Sequence, residues 1–93
     1  MAYYVVKWKY TEDNAKVAAA RQAHVDYLKE IQSAGSLAVA GGWSDGSGGL
    51  VVFDVEDRNE LIPILENDPF TIEDVIVETE IHEWKVGLGS VGA

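Results

Sequence analysis

Two side chains suited to acid–base chemistry lie one helical turn apart in the longest amphipathic stretch of the chain. Arg21 and His24 are three positions apart, so on a helix they share nearly the same face. His24 also lies within an apolar stripe at helical spacing, formed by Val17, Ala20, Tyr27, Leu28 and Ile31. Such a stripe normally faces the core, where polar groups without partners are costly. We therefore expect Arg21 and His24 to meet a carboxylate or to line a cavity.

The best candidate for this carboxylate is Asp68, in the segment Asn67-Asp68-Pro69-Phe70. An imidazole can accept a proton from a carbon acid or a phenol near neutrality, and a carboxylate bonded to the ring stabilises the imidazolium. The Arg21 guanidinium could hold a substrate carboxylate or enolate oxygen. This pattern favours general acid–base chemistry. An ordinary turn role for Asp68 stays open, because Asp initiates turns well.

Three further patterns are interpreted as structural. Residues 42–46 have the spacing G-x-S-x-G of a nucleophile elbow, but a strand follows them where that motif needs a helix. Residues 87–92 spell G-x-G-x-x-G, and no helix follows to hold a pyrophosphate. His82 is interpreted as a half-exposed residue among acids, on a different element from His24, so the sequence contains no close histidine pair for a metal. We expect neither a metal nor a cofactor.

The composition is that of one small acidic domain. The 93 residues include 16 Asp and Glu against 7 Lys and Arg, with a formal net charge of -9 and no cysteine. This charge disfavours nucleic acid and anionic membranes, and the absence of cysteine excludes disulfides and thiolate chemistry. The N-terminus does not resemble a signal peptide, and no apolar run approaches the ~20 residues of a membrane span. We expect a cytoplasmic protein without a nucleic-acid or membrane partner.

The periodicity predicts six elements in the order β-α-β-β-α-β. Strands are predicted at 3–10, 36–42, 50–55 and 75–86, and helices at 12–34 and 57–66, with a loop at 67–74. Thr11 is the predicted N-cap of the first helix, and Pro63 lies inside the second. This order predicts an α+β, ferredoxin-like antiparallel sheet with both helices on one face. The expected division is a single domain at 1–86 and a flexible tail at 87–93.

The predicted first strand is apolar on both of its faces, which gives a reason to expect a homodimer. Helices on one face leave the other uncovered, and a large exposed apolar patch usually indicates association. Two sheets facing each other around a two-fold axis would cover it. We expect Trp8→Glu to dissociate or unfold such an assembly.

Several of these residues together resemble the YciI-like (YCII-related) proteins. The resemblance covers nearly the whole chain and is carried by Arg21-x-x-His24-x-x-Tyr27-Leu28, Gly41-Gly42, Asp45, Gly48-Gly49, Asp68-Pro69-Phe70 and Trp84. It implies a dimeric α+β barrel related to muconolactone isomerases, with dehydrochlorinase chemistry in some members. It also implies that His24 and Asp68 form a catalytic pair. Together with the residue pattern, the resemblance implies cofactor-independent isomerisation, elimination or lyase chemistry on a small cyclic substrate.

We further expect a small-molecule substrate to contact four residues: Arg21, Trp43, Asp45 and Phe70. The alternative is a non-catalytic ligand-binding or accessory dimeric module. A pocket lined by aromatics alone would favour that alternative, with His24 bonded to backbone and Asp68 facing solvent.

Overall fold

The order of helices and strands along the chain defines an α+β fold. The computed structural model describes residues 2–89. Its elements are β1 (Ala2–Tyr10), α1 (Asn14–Ser33), β2 (Leu37–Gly42), β3 (Gly48–Val55), α2 (Arg58–Glu66), α3 (Pro69–Ile72) and β4 (Ile76–Trp84). The four strands form one antiparallel sheet in the order β2-β3-β1-β4, with the helices on one face. The predicted ferredoxin-like fold is confirmed, whereas the domain division stays a prediction, and residues 90–93 of its tail lie outside the described residues.

The structure corrects two local predictions. The N-cap of α1 is Asp13 and not Thr11, because the Asp13 side chain accepts the hydrogen bond of the Lys16 backbone N–H at 3.2 Å. The predicted loop at 67–74 contains the short helix α3, whose N-cap is Asp68. Pro69 opens this helix, where its missing N–H would have had no helical partner.

The core lies between the sheet and the helices. Paired residues of antiparallel strands share a face, so Tyr4 and Val6 of β1 lie beside Phe53 and Val51 of β3. These four residues form the main buried cluster together with Trp8, Val55 and Leu61. A second buried cluster joins α1 to the α3 region and consists of Val17, Ala20, Phe70 and Val75. It holds α3 against α1.

Trp8 belongs to the covered face of the sheet and not to the outer one. It is only 3% exposed and is part of the main core cluster. Trp8→Glu therefore tests folding and not association. The outer face carries large exposed apolar groups at Val39 of β2 and Trp84 of β4, together with charged side chains such as Lys7 and Glu80, which approach to 3.8 Å.

Candidate active site

The centre of the site is a buried pair formed by His24 and Asp68. His24 Nδ1 lies 2.7 Å from Asp68 Oδ1, and the two residues are 6% and 1% exposed. The buried stripe of α1 directs His24 inward, while capping of α3 holds Asp68. An ionised carboxylate can only accept, so in this arrangement the Nδ1–H of His24 donates to Asp68. The structure thus brings together two residues that are 44 positions apart in the sequence.

Aromatic contacts and a backbone bond fix the orientation of this pair. The Phe70 ring stacks on the imidazole with centroids 3.8 Å apart and planes at 3°, and Trp8 meets the imidazole edge at 5.7 Å. Asp68 Oδ1 also accepts the backbone N–H of Phe70 at 2.9 Å. The imidazole therefore has little freedom to tilt or rotate away from the carboxylate.

The second ring nitrogen of His24 faces open space. None of the described residues forms a hydrogen bond with Nε2. Every buried side-chain nitrogen and oxygen among them has a hydrogen-bond partner, so Nε2 is not one of the buried atoms. Nε2 is therefore accessible, and His24 lines a cavity. With Nδ1 protonated toward Asp68, Nε2 carries the lone pair that can accept a proton.

This cavity lies between α1 and β2 and has a volume of about 500 Å³. Small residues of β2, from Leu37 to Gly42, form one wall, and polar groups of α1 form the other. Four aromatic side chains close its inner end and its hairpin side: Trp8, Tyr10, Trp43 and Phe70. A cavity of this size with an apolar lining and few polar groups suits a small molecule.

Three of the four residues predicted to contact a substrate line this cavity. Phe70 is buried beside His24, Trp43 is 41% exposed, and Arg21 also lies along the wall. Arg21 is exposed and not buried as His24 is, yet it lines the cavity.

Asp45 is the fourth predicted substrate contact, and it does not line the cavity. Its Oδ1 accepts hydrogen bonds from the Ser47 hydroxyl at 2.6 Å and the Ser47 backbone N–H at 2.9 Å. Both bonds lower the pKa of Asp45, and the bond from the Ser47 hydroxyl has the larger effect. In this structure Asp45 shapes the turn between β2 and β3.

Tyr10 and Lys29 also line the cavity, and sequence reasoning missed both. The Tyr10 ring meets the edge of Phe70 at 5.1 Å. Burial raises the pKa of Tyr10 above its ordinary value. The charge of Arg21 opposes this rise and that of Asp68 adds to it. The phenol therefore stays protonated at neutral pH. The alternation of β1 places Tyr10 on the same face as Trp8, but only the position of α3 shows that a cavity lies there. Lys29 lies on α1 outside its apolar stripe, so no sequence signal marked it.

Among residues 2–89, no group of three His, Asp or Glu side chains is arranged to hold a metal ion. None of the helices in this part of the chain has the length and apolar character needed to cross a membrane.

The fold and the site together define a small α+β protein with a buried His–Asp pair beside a cavity. Residues 1–85 match the YCII-related domain, and the chain belongs to that family. A search among curated proteins gave no match.

Three solved structures share the fold. One is the 5-chloro-2-hydroxyhydroquinone dehydrochlorinase TftG from Burkholderia phenoliruptrix AC1100, in complex with 2,5-dihydroxybenzoquinone. It has a TM-score of 0.80 and 23% identity, covering 91% of this chain and 95% of that one. Atu4242 from Agrobacterium tumefaciens has a TM-score of 0.63 and 18% identity, covering 94% of both chains. Rv0793 from Mycobacterium tuberculosis has a TM-score of 0.62 and 9% identity, covering 96% of both.

Proposed function

We propose that this protein is a small-molecule enzyme performing cofactor-independent acid–base chemistry on a small cyclic or aromatic-derived substrate. The observation that carries the proposal is the buried 2.7 Å hydrogen bond between His24 and Asp68 at the wall of a cavity. Membership of the YCII-related family and the structural similarity to a dehydrochlorinase support it.

In this proposal His24 is the base and Asp68 the residue that positions it. Nε2 takes a proton from a carbon or hydroxyl group of the substrate, while Asp68 offsets the charge of the imidazolium. Arg21 stabilises the oxygen on which negative charge develops. In an isomerisation His24 returns the proton to another carbon. In an elimination the C–H electron pair forms a double bond, the leaving group departs with its bonding pair, and the proton stays on His24.

The aromatic side chains around Nε2 have a second role in the proposal. Phe70 already stacks on the imidazole, and Trp8 and Trp43 line the same cavity. Flat apolar side chains pack well against a ring and exclude water from the reacting atoms. Isomerase, lyase and dehydrochlorinase chemistry can each use one base beside apolar side chains that cover the bound ring.

The alternative of a non-catalytic binding or accessory module has less support. It predicts that His24 bonds to backbone and that Asp68 faces solvent. Instead, His24 bonds to the Asp68 side chain, and Asp68 is 1% exposed. A buried carboxylate behind a histidine costs desolvation that ligand packing alone does not require.

The two histidines of the chain provide a matched test. His24→Ala and His82→Ala should be assayed against muconolactone-like lactones and chlorinated hydroquinones. His82 is exposed and contacts Glu80 at 2.9 Å, away from the cavity. We expect His24→Ala to lower kcat by roughly 10²–10⁴-fold, the usual contribution of general base catalysis. His82 lies on the outer face of the sheet, so sedimentation should first show that His82→Ala keeps the wild-type assembly, and its turnover should then match the wild type. Turnover unaffected by His24→Ala, for any substrate found, would contradict the proposal.

The proposed active form is a homodimer that buries the outer face of the sheet. Val39 and Trp84 are 50% and 40% exposed on this face, and the family resemblance implies the same assembly. A stable interface buries ~800 Å² per partner. Trp84→Glu should dissociate the dimer, whereas Ile72→Glu, at an exposed residue of α3, should not. Sedimentation of the wild type as a monomer at micromolar concentration would contradict this assembly.

A further inference from the structure

The charges along the cavity differ in sign from the charge of the protein. The chain has 16 acidic and 7 basic residues and a formal net charge of -9. Among the residues that line the cavity, however, Arg21 and Lys29 are the cations and no Asp or Glu side chain is present. A strongly acidic protein repels anions at long range, so such a local excess of cations provides a specific place for one.

Neither of these cations is neutralised by a carboxylate. The ion pairs among the described residues join Lys7 to Glu80, His82 to Glu80 and His24 to Asp68. Arg21 and Lys29 take part in none of these pairs and in no side-chain hydrogen bond of the described residues. Their N–H donors are therefore available to a ligand.

The nearest buried carboxylate does not compete for these donors. Asp68 Oδ1 is occupied by His24 Nδ1 and by the Phe70 backbone N–H, and Asp68 is not one of the residues lining the cavity. The Arg21 guanidinium lies close enough to Tyr10 to oppose the rise in the pKa of that phenol. Arg21 therefore acts electrostatically at the aromatic end of the cavity.

Lys29 is the second cation on the α1 wall of the cavity, and it lies on the other side of His24 from Arg21. Arg21 and Lys29 are eight residues apart on α1, which corresponds to about 12 Å along the helix axis. His24 lies between them in the sequence and shares the wall. A ring with negatively charged oxygen atoms could therefore reach a cation while one of its carbon or hydroxyl groups faces Nε2.

We infer that the cavity selects an anionic planar ring, a phenolate, enolate or aromatic carboxylate, and that Lys29 is a specificity-determining residue for its charge. The inference rests on the proposed function in taking this cavity as the substrate site. It goes further by giving the substrate a charge and by assigning a role to Lys29. Phe70, Trp8 and Trp43 supply the flat contacts, and Arg21 supplies the second cation.

The charge preference can be measured without turnover. Calorimetry should compare 2,5-dihydroxybenzoate with its neutral amide, 2,5-dihydroxybenzamide, as probes of equal shape. We expect the carboxylate to bind about tenfold more tightly, the effect of one charge-assisted hydrogen bond. Its affinity should fall as the salt concentration rises, since this cavity is open to solvent.

Lys29→Gln and Lys16→Gln form the matched pair of variants. Both residues are exposed on α1 and both substitutions remove one positive charge, but Lys16 does not line the cavity. We expect Lys29→Gln to weaken carboxylate binding about tenfold and to leave amide binding unchanged. Lys16→Gln should change neither. Equal affinities for the two probes, no binding of either probe, or equal losses in the two variants would overturn the inference.

The same measurement on His24→Ala separates this inference from the proposed function. A variant that keeps the preference for the carboxylate but loses turnover supports both. Preserved charge selectivity in a protein whose turnover does not depend on His24 supports the inference and contradicts the proposed base. Turnover that depends on His24, without any preference for the carboxylate, supports the proposed base and contradicts the inference.

Discussion

The imidazole of His24 and the ring of Phe70 lie face to face, with centroids 3.8 Å apart and planes at 3°. Asp68, two residues before Phe70, bonds the Nδ1 of the same imidazole at 2.7 Å. One short segment of chain therefore supplies both the plane against which the imidazole rests and the carboxylate that sets its tautomer. In the proposed enzyme this arrangement orients the base before substrate binds, which removes a reorganisation cost from the reaction.

Asp68→Asn should separate the charge of this residue from its size. Asn also caps helices, so α3 should persist, with a loss of stability of about 1–3 kcal/mol from the weaker buried hydrogen bond. The amide oxygen can accept both of the bonds that Oδ1 now accepts, from the His24 Nδ1–H and from the Phe70 N–H, so the tautomer should persist while the negative charge is lost. Nitrogen NMR of His24 should show the same tautomer, and turnover should fall because the imidazolium loses its counter-charge.

Asp57→Asn is the control for this change. Asp57 caps α2 by accepting the Glu60 backbone N–H at 3.1 Å, but it is exposed and far from the cavity lining. The His24 signals should be unaffected by Asp57→Asn. Turnover as unaffected in Asp68→Asn as in Asp57→Asn would show that the charge of Asp68 does not support the base.

Phe70→Leu should destabilise the protein and loosen the imidazole. Phe70 is 1% exposed and contacts both His24 and Tyr10 through its ring. Removing a buried aromatic ring while keeping an aliphatic side chain should cost about 1–3 kcal/mol. Chemical denaturation measures this loss. Ile72→Ala, at a residue 60% exposed on the same helix, should stay within about 0.5 kcal/mol of the wild type. Equal losses in the two variants would mean that the stacked contact adds nothing.

Gly48→Ala should disrupt the hairpin that borders the cavity. A Cβ atom at Gly48 would lie 2.0 Å from the backbone oxygen of Trp8, so the β1–β3 pairing must shift. We expect a loss of about 1–3 kcal/mol or more in the free energy of unfolding. Gly41→Ala is the matched substitution, because nothing lies within 4 Å of its added Cβ. Thermal unfolding should show a large decrease for Gly48→Ala alone, and similar midpoints would contradict the close approach.

The stability contributed by Tyr27 should disappear at alkaline pH. Its hydroxyl donates to the Ile64 carbonyl oxygen at 2.8 Å, joining α1 to α2. Burial, followed by the charges of Asp68 and Glu30, raises the pKa of Tyr27 above its unfolded value of about 10. The neutral phenol is thus favoured by folding, so this contribution is complete below pH ~10 and is lost as the pH rises through the folded pKa.

Tyr27→Phe provides the corresponding measurement. At pH 7 it should be less stable than the wild type by about 1 kcal/mol, the net value of one hydrogen bond. Urea unfolding at a series of pH values should show this difference shrinking above pH ~10. A difference that stays constant to pH 11 would mean that the pKa of Tyr27 is the same in the folded and unfolded states.

The sequence predicted the fold well because its apolar periodicity is clear in most elements. The stripe containing Val17 and His24 predicted α1, and the β-branched and aromatic residues of 3–10 predicted β1. The N-cap of α1 was less predictable, because Thr and Asp are both good N-cap residues. Asp13, and not Thr11, is the cap because its side chain accepts the hydrogen bond of the Lys16 N–H. The helix α3 is too short for any periodicity to reveal it.

The site was predicted only in part, because cavity walls depend on tertiary packing. The pairing of His24 with Asp68 was anticipated as a way to satisfy a buried polar group. The exposure of Arg21 and the hydrogen bonds of Asp45 to Ser47 depend on the direction of each side chain in the folded protein. The pattern of residue types does not determine that direction. Lys29 and Tyr10 border the cavity only because α1 and α3 pack as they do.

The strand that forms one wall of the cavity lies at the edge of the sheet. β2 pairs only with β3, and most of its six residues are Ala, Gly or Val. A larger side chain introduced there would change the volume available to a ligand without disturbing the cluster around Phe53. Single substitutions in this strand can therefore alter the shape of accepted ligands, while the contacts of His24 with Asp68 and Phe70 on the opposite side stay as they are. The residues that set the shape of the cavity are thus physically separate from those that hold the imidazole.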